Sequence, residues 1–178
     1  MTQHTSVRPA LALLVTALLG ACVSTPTAPT AAPSPPQSEP PVQTPTIAAD
    51  WRDWPVADGD WSYRASPTGT GAYYGQQGQP PLLTIRCDMA TRRVSIMRPT
   101  GGDAVGPAMT VHSSFGDINW PVDTSVTGQM SATRASNDAM LDKIAFSRGR
   151  FAIDAPGAPP LAVPSWAEVG RVIEDCRG

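Results

Sequence analysis

From Trp51 onward, short apolar runs alternate with Gly- and Pro-rich breaks, the punctuation of a strand-rich domain. Residues 61–65 alternate, which places Trp61, Tyr63 and Ala65 on one strand face. Residues 72–75 form a second, shorter strand candidate. Residues 82–87 turn Leu83, Ile85 and Cys87 to one side, and 93–98 turn Val94 and Ile96 inward. The short loop between these two runs predicts a hairpin. Residues 99–107 hold three glycines and read as a loop. Met109, Val111, Ser113 and Phe115 share the next strand face, with further strands expected near 120–122 and 129–133. Two helices break the series. Met140, Leu141, Ile144 and Ala145 have helical spacing behind Ser136 and Asn137, either of which can cap the start. Residues 150–154 return to strand, Pro156 and Gly157 turn the chain, and 161–163 are the expected partner. Ser165-Trp166-Ala167-Glu168 has the form of a capping box, and Trp166, Val169, Ile173 and Cys176 then fall on one helical face. Gly170 inside that helix costs about 1 kcal/mol relative to alanine, which suggests close packing there. The expected fold is mainly β (β+α): a small antiparallel β sandwich or barrel with a short internal helix and a C-terminal helix.

Before Trp51 the pattern changes. Arg8 precedes ten uncharged residues, 10–19. A helix of that length rises only about 15 Å, half of a hydrocarbon core, so it reads as the apolar region of an export signal. Residues 23–50 contain eight prolines and little apolar bulk. Such a stretch cannot offset its own ordering entropy. Extended as polyproline II it would reach roughly 80–90 Å, and as a flexible coil about 30 Å, which suits a spacer better than a PxxP recognition motif.

Leu19-Gly20-Ala21-Cys22 resembles the bacterial lipobox. The resemblance implies that residues 1–21 are a cleaved lipoprotein signal peptide and that Cys22 carries acyl chains. Two or three chains anchor stably where one does not, at about 0.8 kcal/mol per buried CH₂. Ser24, where an aspartate would retain the protein elsewhere, resembles the sorting pattern of outer-membrane lipoproteins. The implied organisation is a signal at 1–21, a lipidated and tethering segment at 22–50, and one globular β-rich domain at 51–178, on the periplasmic face of the outer membrane.

Charge and residue counts narrow the chemistry. Thirteen basic residues stand against fifteen acidic ones, which argues against nucleic acid as a partner. Beyond the signal the only histidine is His112, so the commonest zinc arrangements are excluded and no metal or cofactor is expected. With Cys22 lipidated, Cys87 and Cys176 remain as an even pair on inward faces, and an exported domain is expected to oxidise them to a disulfide. Asp117 follows His112 by five residues, an odd spacing that sets the two on opposite strand faces unless a turn intervenes. Neither Ser113, Ser114 nor Ser147 sits in a GxSxG elbow, so no catalytic residue is expected. Asp58 and Asp60 flank a turn glycine, and Glu174 and Asp175 are expected to pair with Arg171 and Arg177. Twelve arginines face a single lysine. Ser147, Arg148 and Arg150 are the candidate ligand-binding residues, since guanidinium groups match phosphate or carboxylate. Trp51, Trp54 and Trp61 either plug the end of a small core or stack on glycan rings.

Five stretches resemble uncharacterised envelope lipoproteins of proteobacteria: Asp60-Trp61-Ser62-Tyr63, Leu83-Thr84-Ile85-Arg86-Cys87, Phe146-Ser147-Arg148-Gly149-Arg150-Phe151, Leu161-Ala162-Val163-Pro164-Ser165-Trp166 and Val172-Ile173-Glu174-Asp175-Cys176-Arg177. That resemblance implies a location and no activity. Residues 147–151 are also similar to the inhibitory strand of membrane-bound inhibitors of C-type lysozyme, with the glycine displaced by one position. The expected role is a lipid-anchored envelope binding or structural module without catalysis. Its partners would be the membrane, through Cys22, and an envelope protein or cell-wall glycan. The alternative is an inhibitor of a cell-wall hydrolase, with an envelope enzyme ranked last.

Overall fold

The alternation from residue 60 onward builds a meander. In a computed structural model describing residues 48–101, 106–126 and 128–178, β1 (Asp60–Ser66), β2 (Gly69–Gly75), β3 (Leu83–Asp88) and β4 (Arg93–Pro99) pair antiparallel in chain order. The expected export signal, Cys22 and the tether as far as residue 47 lie outside the described residues. The chain then forms a hairpin of β5 (Ala108–Ser113) and β6 (Gly116–Pro121), and returns through β7 (Thr124–Val126) and β8 (Gln129–Ala135). After α1 (Ala139–Ala145) come β9 (Arg150–Asp154), β10 (Leu161–Pro164) and α2 (Ala167–Arg177). One sheet runs β1-β2-β3-β4-β8-β7 and the other β10-β9-β5-β6. They do not close into a barrel; they share one core, as in a β sandwich.

That core joins Trp61, Tyr74, Ile85 and Ile96 of the larger sheet to Val111, Phe151, Ile153 and Val163 of the smaller one. α1 adds Leu141 and Ile144, while α2 lies across β1 to β4 and buries Val169, Val172 and Ile173. Each such side chain contributes about 1.5–3 kcal/mol on burial. Cys87 and Cys176 form a disulfide with their Cα atoms 5.5 Å apart, which ties α2 to β3. The outer face of the smaller sheet is covered too. Trp51 and Trp54, 6% and 8% exposed, pack on Ala152 and Ala162. The Trp54 indole N–H donates to the Ala48 carbonyl at 2.7 Å, and Val56 pairs in parallel with Ala162 at the sheet edge. Trp61 enters the main core instead and donates to the Pro164 carbonyl at 2.8 Å.

Several local expectations are corrected. Asp138, not Ser136 or Asn137, caps α1, its carboxylate accepting from the Met140 amide at 2.9 Å. The capping box on α2 does not form. Ser165 shares its hydroxyl proton between the Ile144 and Ala145 carbonyls, 3.0 Å from each, so the end of α1 takes the group that α2 would have used. Trp166 becomes the N-cap residue and is 46% exposed rather than buried. Gly170 is not tightly packed either: a Cβ there would meet only the Ala145 Cβ, at 4.0 Å. Phe115 leaves strand β5 and sits in the β5–β6 turn, half exposed.

Candidate functional site

Alternation on β1 and β2 sends Trp61 and Tyr74 inward, so Ser62, Arg64 and Tyr73 stand on the outer face. Gly71 lies opposite Arg64 in the register. A Cβ on Gly71 would come within 2.8 Å of the Tyr73 hydroxyl and 2.9 Å of its ring carbons, so the ring lies over this bare backbone. The Arg64 guanidinium carbon is 4.9 Å from the ring centroid. Beyond β2 the chain rises in a turn closed by the Gln79 amide on the Gln76 carbonyl, with Gly78 at φ +80°. The result is a pocket of about 420 Å³ lined by Asp60, Arg64, Tyr73, Gln76, Gln77 and Gln79, among others.

A second hollow, about 410 Å³, lies where residues 49–54 cross the smaller sheet. The His112 ring stacks on Trp51 at 6.0 Å and meets the edge of Trp54 at 5.4 Å. His112 Nδ1 is 3.0 Å from Asp117 Oδ1. A turn does intervene between them: the β5–β6 hairpin brings His112 and Asp117 into direct register on one face. No serine completes a triad there among the described residues. Ser113 donates to the Gly116 carbonyl, Ser114 accepts from the Arg148 amide, and Ser147 donates to the Arg150 carbonyl. Asp50, at the rim, has its carboxyl pKa held down by the Arg52 backbone amide and by the nearby Arg52 charge.

Family models, curated proteins and solved structures give no match to this chain.

Ser147, Arg148 and Arg150 do not converge on one pocket. Ser147 is buried and joins two segments, accepting from the Ser114 amide at 2.9 Å. Arg150 donates to the carbonyls of Arg52 and Trp54, at 3.2 and 3.0 Å, and so clamps the segment that covers the smaller sheet. Arg148 is exposed. Ser114 hydrogen-bonds to 147–148 and Ser165 to 144–149, and the residue next to each of Ser114, Ser147 and Ser165 is an exposed aromatic: Phe115 at 50%, Phe146 at 67% and Trp166 at 46%.

The acidic pairs settle differently. Glu174 pairs with Arg177 as expected, at 3.0 Å. Asp175 instead accepts from the Tyr63 hydroxyl at 2.7 Å, and Arg171 lies over the Tyr63 ring at 3.9 Å. Two arginines with structural roles escaped the sequence reading. Arg92, at φ +54°, donates to the Cys176 and Arg177 carbonyls and closes the end of α2. Arg98 continues the inward alternation of Val94 and Ile96 and donates to the Leu82 and Pro159 carbonyls, while burial pushes its pKa down. Among the described residues no group of three or more His, Cys, Asp or Glu could hold a metal ion. The outer pocket was also missed. Its signal was the glycine spacing 69, 71, 75 in β2, which leaves Tyr73 as the lone side chain on that strand face.

Proposed function

We propose that this chain is a lipid-anchored binding module of the bacterial cell envelope. Acyl chains on Cys22 would hold it on the periplasmic face of the outer membrane. The pocket on the outer face of β1 and β2 carries the binding reading. Its lining offers amides, a guanidinium, a carboxylate and an aromatic ring, groups that orient a ligand. The Leu19-Gly20-Ala21-Cys22 sequence supports the anchor, and the Cys87–Cys176 disulfide suits an oxidising compartment. Among the described residues no helix is long and apolar enough to cross a membrane.

Cys22→Ser tests the anchor, because a hydroxyl supplies no thiolate for acyl transfer. The mutant should accumulate as a precursor or lose its place in the outer membrane. Recovery of the mutant in outer-membrane detergent extracts at the mature mass would refute lipidation. Crosslinking in intact envelopes tests binding, and failure to capture any wall or protein partner counts against the module.

A second reading, inhibition of a cell-wall hydrolase, is favoured by exposed Arg148, two residues from exposed Phe146 and on a segment hydrogen-bonded to Ser114. Unchanged lysozyme turnover at micromolar protein removes it.

A further inference from the structure

We propose that the pocket on the outer face of β1 and β2 binds an uncharged sugar ring of an envelope glycan, with Tyr73 as its stacking platform. The inference rests on the binding-module reading and names the ligand of that same site. A pyranose presents two kinds of surface. One face is a patch of C–H bonds carrying slight positive charge, and the rim is a circle of hydroxyls that both donate and accept. The pocket offers a complement to each.

The negative face of an aromatic ring attracts the C–H patch. Tyr73 supplies that ring and is held over the backbone because Gly71 has no side chain. The Arg64 guanidinium lies over the ring, 4.9 Å from its centroid; a bound sugar takes its place on the ring face, and its N–H groups turn to the hydroxyl oxygens. For the hydroxyl rim the matching group is the carboxamide, which also donates and accepts. Gln76, Gln77 and Gln79 bring three of them on one turn. Charge selects against ionic ligands. Asp60 and Arg64 are the charged residues of the lining and their formal charges cancel, so a phosphate or a nucleotide gains little there. At about 420 Å³ the pocket lies near the small end of the range of roughly 300–1,000 Å³ seen for ligand sites, which suits a short stretch of glycan.

The test uses the purified mature chain and three probes. These are isolated murein sacculi in co-sedimentation, and chitotetraose and lipopolysaccharide core oligosaccharide in calorimetric titration. Binding to sacculi and chitotetraose assigns an N-acetylhexosamine of the wall, and binding to the core oligosaccharide alone assigns the other glycan source. Tyr73→Ala should weaken binding at least tenfold. Gly71→Ala removes no binding group but pushes the ring off the backbone, and should weaken binding by a smaller factor. Arg64→Ala provides an independent check on the neighbouring strand, and Arg148→Ala, outside the pocket lining, should leave affinity unchanged. Melting curves confirm that each variant is folded. Two results overturn the inference: no probe binds, or folded Tyr73→Ala binds like the parent, whatever Arg64→Ala does. Capture of an envelope protein without glycan binding also overturns it, yet leaves the binding-module reading standing.

Discussion

Breaking the Cys87–Cys176 disulfide should destabilise the domain without undocking α2. The bridge spans 89 residues. Loop-closure entropy for a loop that long amounts to about 4.6 kcal/mol at 25 °C. An unfolding entropy of ~2.1 cal/mol/K per residue over roughly 130 residues converts this to about 17 °C in melting temperature, as an upper limit. The loss acts on the unfolded chain, because α2 keeps its other ties. Val169, Val172 and Ile173 stay buried, Asp175 accepts from Tyr63 at 2.7 Å, and Arg177 pairs with Asp142 at 2.8 Å. Reduced protein should therefore melt about 10–17 °C lower while its near-UV circular dichroism at 20 °C is unchanged. Cys87→Ala, Cys176→Ala and the double variant should show similar losses, since each removes the same covalent link. Calorimetry with and without reductant, beside thiol titration of unreduced protein, provides the measurement. Two titratable thiols before reduction, or a melting shift below about 3 °C, would refute the reasoning.

Gly170→Ala should stabilise the domain by about 1 kcal/mol, because the new methyl group meets only Ala145 at 4.0 Å; a loss in chemical denaturation would show that the helices are in tighter contact. Ser165→Ala should cost about 1 kcal/mol, since the Ala145 and Ile144 carbonyls at the end of α1 lose the shared hydroxyl donor and Ile144 keeps the Ser147 amide; unchanged stability argues against that role. Asp50 and Asp88 have lowered pKa values, each chiefly from a backbone amide, of Arg52 and Thr91 respectively. Their stabilising contribution is present above the ordinary carboxylate pKa of about 3.9 and is lost as pH falls through the lower folded values. NMR titration should place both midpoints below about 3.9, and a midpoint at or above it contradicts the hydrogen bonding.

The meander was legible because alternation of two residues is a local signal, and Leu83, Ile85, Val94 and Ile96 all face inward as the pattern predicts. The disulfide was legible for the same reason, since each cysteine lies on an apolar stripe whose direction the local pattern sets. What the local pattern could not decide depended on competition or register. Ser165 has the right spacing for a capping box, yet the carbonyls of a helix twenty residues earlier take its hydroxyl. His112 and Asp117 have opposite parity along a continuous strand, and a turn placed between them restores their register. The outer pocket needs β1 and β2 aligned so that Arg64 faces Gly71, which neither strand specifies alone. The backbone partners of Ser147 and Arg150 lie far away in sequence, at Ser114, Arg52 and Trp54, where no local pattern points to them.

The position of α2 after every strand bears on how the molecule is made. Key ties reach across most of the domain: Trp61 to Pro164 spans 103 residues and Tyr63 to Asp175 spans 112. A chain emerging from a ribosome or a translocation pore, N-terminus first, shows the apolar faces of β1 to β4 well before the helix that covers them exists. Tyr74, Leu83, Ile85 and Val94 are then open to any holding chaperone. Completion of this domain thus waits for α2: the sheet is delivered as sticky cargo, and the helix that follows its strands closes it.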